Sequence, residues 1–225
     1  MFEIGYSIAP RWMNPSTIES RNDARGTLIV YILGSHDRLM DFGKTIKVPH
    51  ERIAILIGSN GSVKKELELR CNVIIKIEGE TGNIEIFPAC ESGFDDKSLQ
   101  TIEVIEAISH GFSPMVAFRL FNEDIVLLII DLRDTVYKSS NAITRLKGRI
   151  IGANGKSRKT IEELSGASIS VYGHTVSFIG TYEETILAND AVLLLLKGRS
   201  HKVVYEMLQN ARRKAKIERL KLWMS

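Results

Sequence analysis

Cysteine is scarce in this 225-residue chain, with only Cys71 and Cys90 present. Two are too few for a disulfide framework or an all-cysteine zinc site, and they read as reduced thiols of an intracellular, cytoplasmic protein. Long apolar runs are missing too. Nothing approaches the roughly 20 residues of a membrane span. "AVLLLLKG" (191–198) reaches a charge after six apolar residues and suits a buried helix. "TLIVYILG" (27–34) has neither a basic n-region nor a small-residue cleavage site, so it does not read as a secretion signal. The histidines, His36, His50, His110, His174 and His201, are scattered with no H-x-x-x-H or cysteine partner at ligand spacing. Surface or core positions are expected for each, and no metal. No nucleophile-and-base arrangement is visible, so neither catalysis nor a cofactor is expected. Asp95-Asp96 reads as the first turn of a helix, and Asp131 with Asp134 as a strand end beside Arg133.

Strong net charge is likewise absent. At +3 the balance alone would not argue for nucleic acid, but its distribution does. From Lys138 to Lys159 there are seven cations (Lys138, Arg145, Lys147, Arg149, Lys156, Arg158, Lys159) and no acid. Within that stretch "RIIGANGKSRKT" (149–160) ends its glycine bend in Gly155-Lys156-Ser157, like a nucleotide-binding P-loop. The spacing is wrong for one. A P-loop requires glycine where Ile150 stands, and the preceding "SSNAITRLKGRI" reads as a helix rather than a buried strand.

What the chain does have is a repeat. "IGSNGSVKKE" (57–66) is echoed by "IGANGKSRKT" (151–160), with Gly58 and Gly152 lying 94 positions apart. A lone Gly-x-x-Gly pair is weak evidence, since about one arises by chance at ordinary glycine content. Here the similarity continues in register. Val63, Leu67 and Arg70 in one copy and Ile161 and Leu164 in the other mark a helix, ended by Cys71-Asn72 or Ser165-Gly166. Alternating strands follow, "VIIKIEGE" (73–80) against "ASISVYG" (167–173), then "IEIFP" (84–88) against "TVSFIG" (175–180). A long apolar helix closes each unit, 99–121 and 188–208, with an expected kink at Gly111-x-Ser113 or Gly198-x-Ser200, reinforced by Pro114. Upstream, "KTIKVPHERI" (44–53) and "DIVLLIIDLRDTV" (124–136) each read as a strand leading into a helix. The expected units are 44–121 and 124–225. Residues 1–43 match nothing in the repeat. Their "NPSTIESRNDARG" (14–26) is loop-like, and with Met40 ahead of the first unit the segment reads as a poorly ordered appended tail or the product of an upstream start.

The order strand, helix, Gly-x-x-Gly, helix, strand, strand, helix resembles the type I K-homology (KH) domain. "VPHERIAILIGSNGSVKKELE" paired with "LKGRIIGANGKSRKTIEELSGASISVYG" is similar, more narrowly, to the partner-of-Nob-one family of ribosomal RNA processing proteins, in its archaeal branch because both glycine loops are kept. The resemblance implies an α+β fold of two tandem βααββα units, each a three-stranded antiparallel sheet packed on helices. It implies an adaptor that holds the 3′ end of small-subunit ribosomal RNA as a single strand. Implied partners are a PIN-domain endonuclease and, by resemblance only, the alpha subunit of translation initiation factor two.

Glycines without Cβ atoms let a polynucleotide approach the backbone, and the helix start offers free N–H groups to a phosphate. The expected RNA-binding residues of the second unit are therefore Gly152, Ala153, Asn154 and Gly155, with Lys147, Arg149, Lys156, Arg158 and Lys159 as cations. Ile151 and Ile169 are expected to floor the groove, with backbone groups of 167–171 reading base edges. The first unit offers Gly58, Ser59, Asn60 and Gly61 with Lys64 and Lys65. Weaker binding is expected there, because Glu66, Glu68, Glu78, Glu80 and Glu85 crowd it. In the basic C-terminal helix (210–223), the plainer reading is a solvated face over Leu208, Ala211 and Leu220, and the functional one a phosphate track of Arg212, Arg213 and Lys216. Two other function classes remain open: a nucleotide-dependent enzyme using Gly155-Lys156-Ser157, and a KH-fold protein-interaction scaffold.

Overall fold

The computed structural model describes residues 18–22, 28–32, 43–89, 96–135 and 140–224. Cys90, Asp95, Lys138, His36 and Met40 lie outside the described residues. The first elements correct the loop reading of 14–26: β1 (Ile18–Asn22) pairs antiparallel with β2 (Leu28–Ile32), Ser20 opposite Val30.

The first unit then runs β3 (Lys44–Lys47), α1 (His50–Ile57), a 3₁₀ turn at Ser59–Gly61, α2 (Ser62–Cys71), β4 (Val73–Ile77), β5 (Asn83–Pro88), α3 (Asp96–Ser109), α4 (Pro114–Ala117) and a second 3₁₀ turn at Phe118–Phe121. The second unit follows the same order, with a short helix added after its first strand and a long helix at its end: β6 (Ile125–Asp131), α5 (Leu132–Thr135), α6 (Ser140–Ile151), a 3₁₀ turn at Ala153–Gly155, α7 (Lys156–Ser165), β7 (Ser168–Tyr172), β8 (Thr175–Thr181), α8 (Tyr182–Leu196) and α9 (His201–Met224). Both sheets are antiparallel with the later hairpin strand in the centre, β3-β5-β4 and β6-β8-β7. The expected kinks are full breaks. Gly111 (φ 100°) and Gly198 (φ 87°) adopt left-handed dihedrals that end one helix before the next begins. The helix after β8 also starts earlier than expected, because Thr181 and Glu184 form a reciprocal capping box at its head.

Each unit closes its own core. In the first, Leu56, Leu67, Ile75, Ile84, Ile86, Ile105 and Ile108 are fully buried, as are Ile150, Ile161, Phe178, Val192 and Leu195 in the second. Position 94 residues on from a buried Leu67 stands a buried Ile161. At the ends of α2 and α7 the left-handed cap is Asn72 in one copy and Gly166 in the other, the two residue types that tolerate it.

The sheets differ in their outer faces. β5 exposes Glu85, whereas Val176 through Gly180 of β8 are all buried. The cause is that the second sheet lies between two layers. Leu128, Ile130, Val176 and Phe178 pack on its own helices, while Ile125, Leu127 and Ile179 join the first unit's core. Polar contacts fix the join. Arg119 Nη1 donates to Ser168 Oγ (3.0 Å), and Ser170 Oγ donates to the His110 carbonyl (2.8 Å). The Tyr172 hydroxyl donates to Glu51, and the Arg52 guanidinium lies 5.7 Å above the Tyr172 ring. Burial, followed by the Glu51 carboxylate, pushes the Tyr172 phenol up to about 12. Gly111 is the tight spot: a Cβ there would stand 2.5 Å from Ser170 Oγ and 2.8 Å from Tyr172 Cβ.

Candidate nucleic-acid interface

The two glycine bends follow one backbone path. Gly58 has φ 73° and ψ 178°, Asn60 φ 53° and Gly61 φ 76°. Gly152 has φ 70° and ψ 178°, Asn154 φ 52° and Gly155 φ 75°. The dihedrals of the leading glycine belong to a region populated essentially by glycine alone, so the motif is a backbone requirement. The two glycines of a bend have separate roles. A Cβ on Gly152 would stand 2.7 Å from Ser157 Cβ, and one on Gly58 2.6 Å from Val63 Cγ2. The leading glycine is therefore packed beneath the helix that follows. Around Gly155 nothing lies within 4 Å of the same probe atom. It supplies the left-handed turn and leaves an open face, flanked by exposed Ala153 and Asn154. Neither α2 nor α7 has a side-chain N-cap; the first N–H of each is taken by the 3₁₀ turn before it, Ser62 donating to the Ser59 carbonyl and Lys156 to the Ala153 carbonyl, so the positive end of the helix faces the bend without a side chain over it.

The cations around the second bend divide into two sets. Lys156 and Lys159 are exposed beside it. Lys147 and Arg149 hold other elements in place. Lys147 Nζ donates to the Gly173 carbonyl in the β7–β8 turn (3.0 Å), and Arg149 Nη2 donates to the Arg199 carbonyl (2.6 Å). His201 Nε2 donates back to the Arg149 carbonyl at 3.0 Å. These straps draw the turn 197–202, with Lys197, Arg199 and Lys202, against the end of α6 next to the bend. Sequence reasoning missed these three cations. The signal was the Gly198-x-Ser200 break, read only as a kink. Arg158 is half-buried, its Nε 3.8 Å from Glu162 Oε2.

At the first bend Lys65 is exposed, but Lys64 Nζ is 3.7 Å from Glu68, and Glu66 is paired with Arg70 at 2.6 Å. Ser59 and Asn60 are exposed in the bend itself. Glu78, Glu80 and Glu85 are exposed on the neighbouring hairpin, so carboxylates surround it.

The expected groove floor changes in one respect. Ile151 is half-buried beside the bend, but Ile169 is only 3 % exposed and belongs to the core. Its N–H is also engaged, donating to Glu162 Oε1 at 2.8 Å. Along α9, Arg212 Nη1 donates to the Glu163 carbonyl (3.2 Å) at the far end of α7. That cleft is lined by Asp124, Glu163, Glu183 and Glu184, acidic surroundings for a phosphate. Arg213 and Lys216 are exposed; Leu208 is buried, but Leu220 is 55 % exposed and covers no core.

The remaining described candidates take the following places. The Asp131 carboxyl is held below its usual range by hydrogen bonds from Arg133, whose Nε lies 2.9 Å from Oδ2. Asp96 stands in the first turn of α3. His50 and His174 are exposed, His110 and His201 half-buried, and no cluster that could hold a metal occurs among the described residues. Cys71 is buried in the first unit's core. No helix of the described residues is long and apolar enough to cross a membrane.

Residues 126–213 match the family described as eukaryotic type KH-domain (KH-domain type I), and residues 43–92 match the KH domain family. A KH domain-containing protein of Methanocaldococcus jannaschii is 39 % identical over 178 residues, covering 79 % of this chain and 78 % of that protein. The pre-rRNA-processing protein pno1 of Schizosaccharomyces pombe is 28 % identical over 116 residues, 51 % of this chain and 48 % of its own length. Among solved structures, the a/eIF2alpha–aDim2p–rRNA complex of Pyrococcus horikoshii OT3 matches with a TM-score of 0.70 at 40 % identity, covering 76 % of this chain and 94 % of that one. With both glycine bends, both three-stranded sheets and these relatives in agreement, the chain belongs to the partner-of-Nob-one (PNO1/Dim2) family of tandem type I KH-domain proteins.

Proposed function

We propose that the chain is a single-stranded RNA-binding adaptor of small-subunit ribosome biogenesis, holding the 3′ end of the ribosomal RNA without catalysing its cleavage. The observation that carries this reading is the second bend. Gly155 opens a left-handed face at the uncapped start of α7, with exposed Lys156 and Lys159 beside it. Such a surface suits a phosphodiester strand, because the positive end of a helix and exposed ammonium groups lie along one anion track. The pre-rRNA-processing relatives and the rRNA-containing complex of the Pyrococcus homologue support the same substrate class.

The second unit carries most of the affinity. The first, crowded by its own carboxylates, binds more weakly and is partly a spacing or protein-docking unit. Cleavage comes from a partner, a PIN-domain endonuclease, and the alpha subunit of initiation factor two is a second partner, in line with the Pyrococcus complex. The site of action is the cytoplasm. Residues 1–43 stand outside both KH units, which span 44–121 and 124–225. Against a nucleotide-dependent enzyme, the element before Gly152 is the helix α6, not a buried strand.

Titration against a single-stranded rRNA 3′-end oligonucleotide and against ATP, at about 50 and 200 mM salt, tests the proposal. RNA binding that weakens steeply with salt, with negligible ATP binding, is expected. ATP binding of comparable strength, or RNA binding indifferent to salt, would overturn it.

A further inference from the structure

The edge strand beside each glycine bend carries an unforeseen feature. In the second unit Glu162 Oε1 accepts a hydrogen bond from the Ile169 N–H at 2.8 Å, spanning from α7 to β7. In the first, Glu68 Oε1 accepts from the Ile75 N–H at 3.0 Å, spanning from α2 to β4. Both residues of the second pair stand 94 positions after their counterparts, the same offset that relates the glycines. Four residues before each glutamate is a cation: Lys64 Nζ lies 3.7 Å from Glu68, and Arg158 Nε lies 3.8 Å from Glu162. Cation, carboxylate and strand N–H thus recur as a unit in both copies.

This arrangement determines what a base would meet. β7 and β4 are edge strands, and an outward N–H there would be a donor able to read an acceptor on a base. At Ile169 that donor is already taken. What lies across the gap between helix and strand is a carboxylate, which only accepts. Its side chain is 27 % exposed, so it remains accessible. Oε2 is also open: 3.8 Å to Arg158 Nε is within ion-pair range but too long for a hydrogen bond. Arg158 is thereby a positioning residue for the carboxylate rather than one more free phosphate contact.

We infer that Glu162 is a specificity-determining residue that reads guanine, through hydrogen bonds from the base to its carboxylate. The inference rests on the RNA-binding reading above. Guanine alone presents two adjacent donors on its Watson–Crick edge, N1–H and the N2 amino group, matching the two carboxylate oxygens. Adenine and cytosine each offer one amino donor beside an acceptor. Uracil offers a single N3–H between two carbonyls, both repelled by a carboxylate. The expected order is guanine, then adenine and cytosine, then uracil. A bidentate contact of this kind is worth about tenfold or more in discrimination.

The test uses the full chain and a U8 octamer, compared with the same octamer carrying one central G, A or C. In a uridine background the single substituted base can slide to whichever position reads it. Wild-type protein is expected to bind the G-containing octamer about tenfold more tightly than U8. In Glu162→Gln the amide oxygen can still accept from Ile169, while the amide N–H₂ presents a donor. The guanine advantage is then expected to shrink to about twofold or less, with preference moving toward uridine. A purely structural role for Glu162 would change overall affinity and leave the ranking intact. Equal binding of all four octamers by the wild type, or an unchanged guanine advantage in Glu162→Gln, would overturn this inference alone. Absence of salt-sensitive binding to any octamer would overturn the RNA-binding reading along with it.

Discussion

The two halves of the molecule share a backbone and differ in what surrounds it. The leading glycines differ by only 3° in φ, 73° against 70°, and the central asparagines by 1°, 53° against 52°. Yet the first bend faces paired and unpaired carboxylates, while exposed lysines flank the second. Their sheets diverge as well: one exposes Glu85 on its outer face, whereas the other is covered on that face by its neighbour. Duplication preserved what the chain geometry demands, the left-handed glycines and the carboxylate on the edge-strand N–H. Charge and the use of the outer face were free to change. A shared bend is therefore a permissive scaffold, and the charges around it set how strongly each copy would attract an anion.

Charge placed in the bends should break the comparison most strongly. Gly155→Asp puts a carboxylate into open space at a left-handed position that aspartate tolerates. It should weaken RNA binding by up to about a hundredfold, equivalent to one charge-assisted hydrogen bond of roughly 1.5–3 kcal/mol. Gly61→Asp, its counterpart, should cost about threefold or less, judged by filter binding of a single-stranded oligonucleotide. A larger loss from Gly61→Asp would reverse the assignment of the two units. Gly152→Asp and Gly58→Asp should follow the same order, with an added folding cost because their side chains would meet Ser157 and Val63.

Neutralising the second unit's exposed cations sharpens the contrast more gently. Replacing Lys156 and Lys159 by alanine should reduce the slope of log K against log salt by about 1.4, the single-strand value for two phosphate contacts. The pair Lys64→Ala and Lys65→Ala should leave that slope nearly unchanged.

The helix breaks give a comparison in stability. Gly111 and Gly198 both have left-handed φ, but only Gly111 is pressed against the other unit. Gly198→Ala should cost about 1–2 kcal/mol, the backbone strain alone. Gly111→Ala should cost that strain plus about 1–3 kcal/mol for overpacking against Ser170 and Tyr172. Denaturant unfolding of the two variants measures the difference.

The smallest effect concerns pH at the join between units. Thr175 Oγ1 donates its hydrogen to the Tyr172 carbonyl (3.1 Å), so it accepts from His110 Nδ1–H at 2.9 Å. Burial holds the His110 imidazole below its ordinary value of 6.5, against the opposing pull of Glu106 and Asp131. Protonation is therefore easier in the unfolded chain. This contribution to stability is fully present above about pH 6.5 and is lost as pH falls through the lower folded value. His110→Asn should flatten the stability profile between pH 5 and 7, and an unchanged slope would remove His110 from the interface account.

Much of this was legible because the chain states it twice. The 94-residue echo identified both bends, and Leu67 with Ile161, or Asn72 with Gly166, follows from local periodicity and cap chemistry. The covered second sheet was half-written in "IVLLII" (125–130), whose lack of alternation marks a strand with apolar packing on two faces, half-buried along its length, but no local rule says what covers it. Lys147, Arg149 and Arg158 look alike as cations in a glycine-rich stretch. Only the tertiary fold shows that the first two strap turns and the third holds Glu162. Ile169 has the same origin: β periodicity placed it on the groove strand, while its facing direction, into the core, depends on register. The β1–β2 hairpin had no second copy to reveal it.

The most direct measurement is an amide chemical-shift titration of the full chain with a single-stranded rRNA 3′-end oligonucleotide. The account predicts the largest changes at Gly155, Lys156 and Ser157, extending to Ile169, with smaller ones at Gly61 through Lys64. Changes confined to the first unit or to α9, with the amides of 152–158 unmoved, would contradict it.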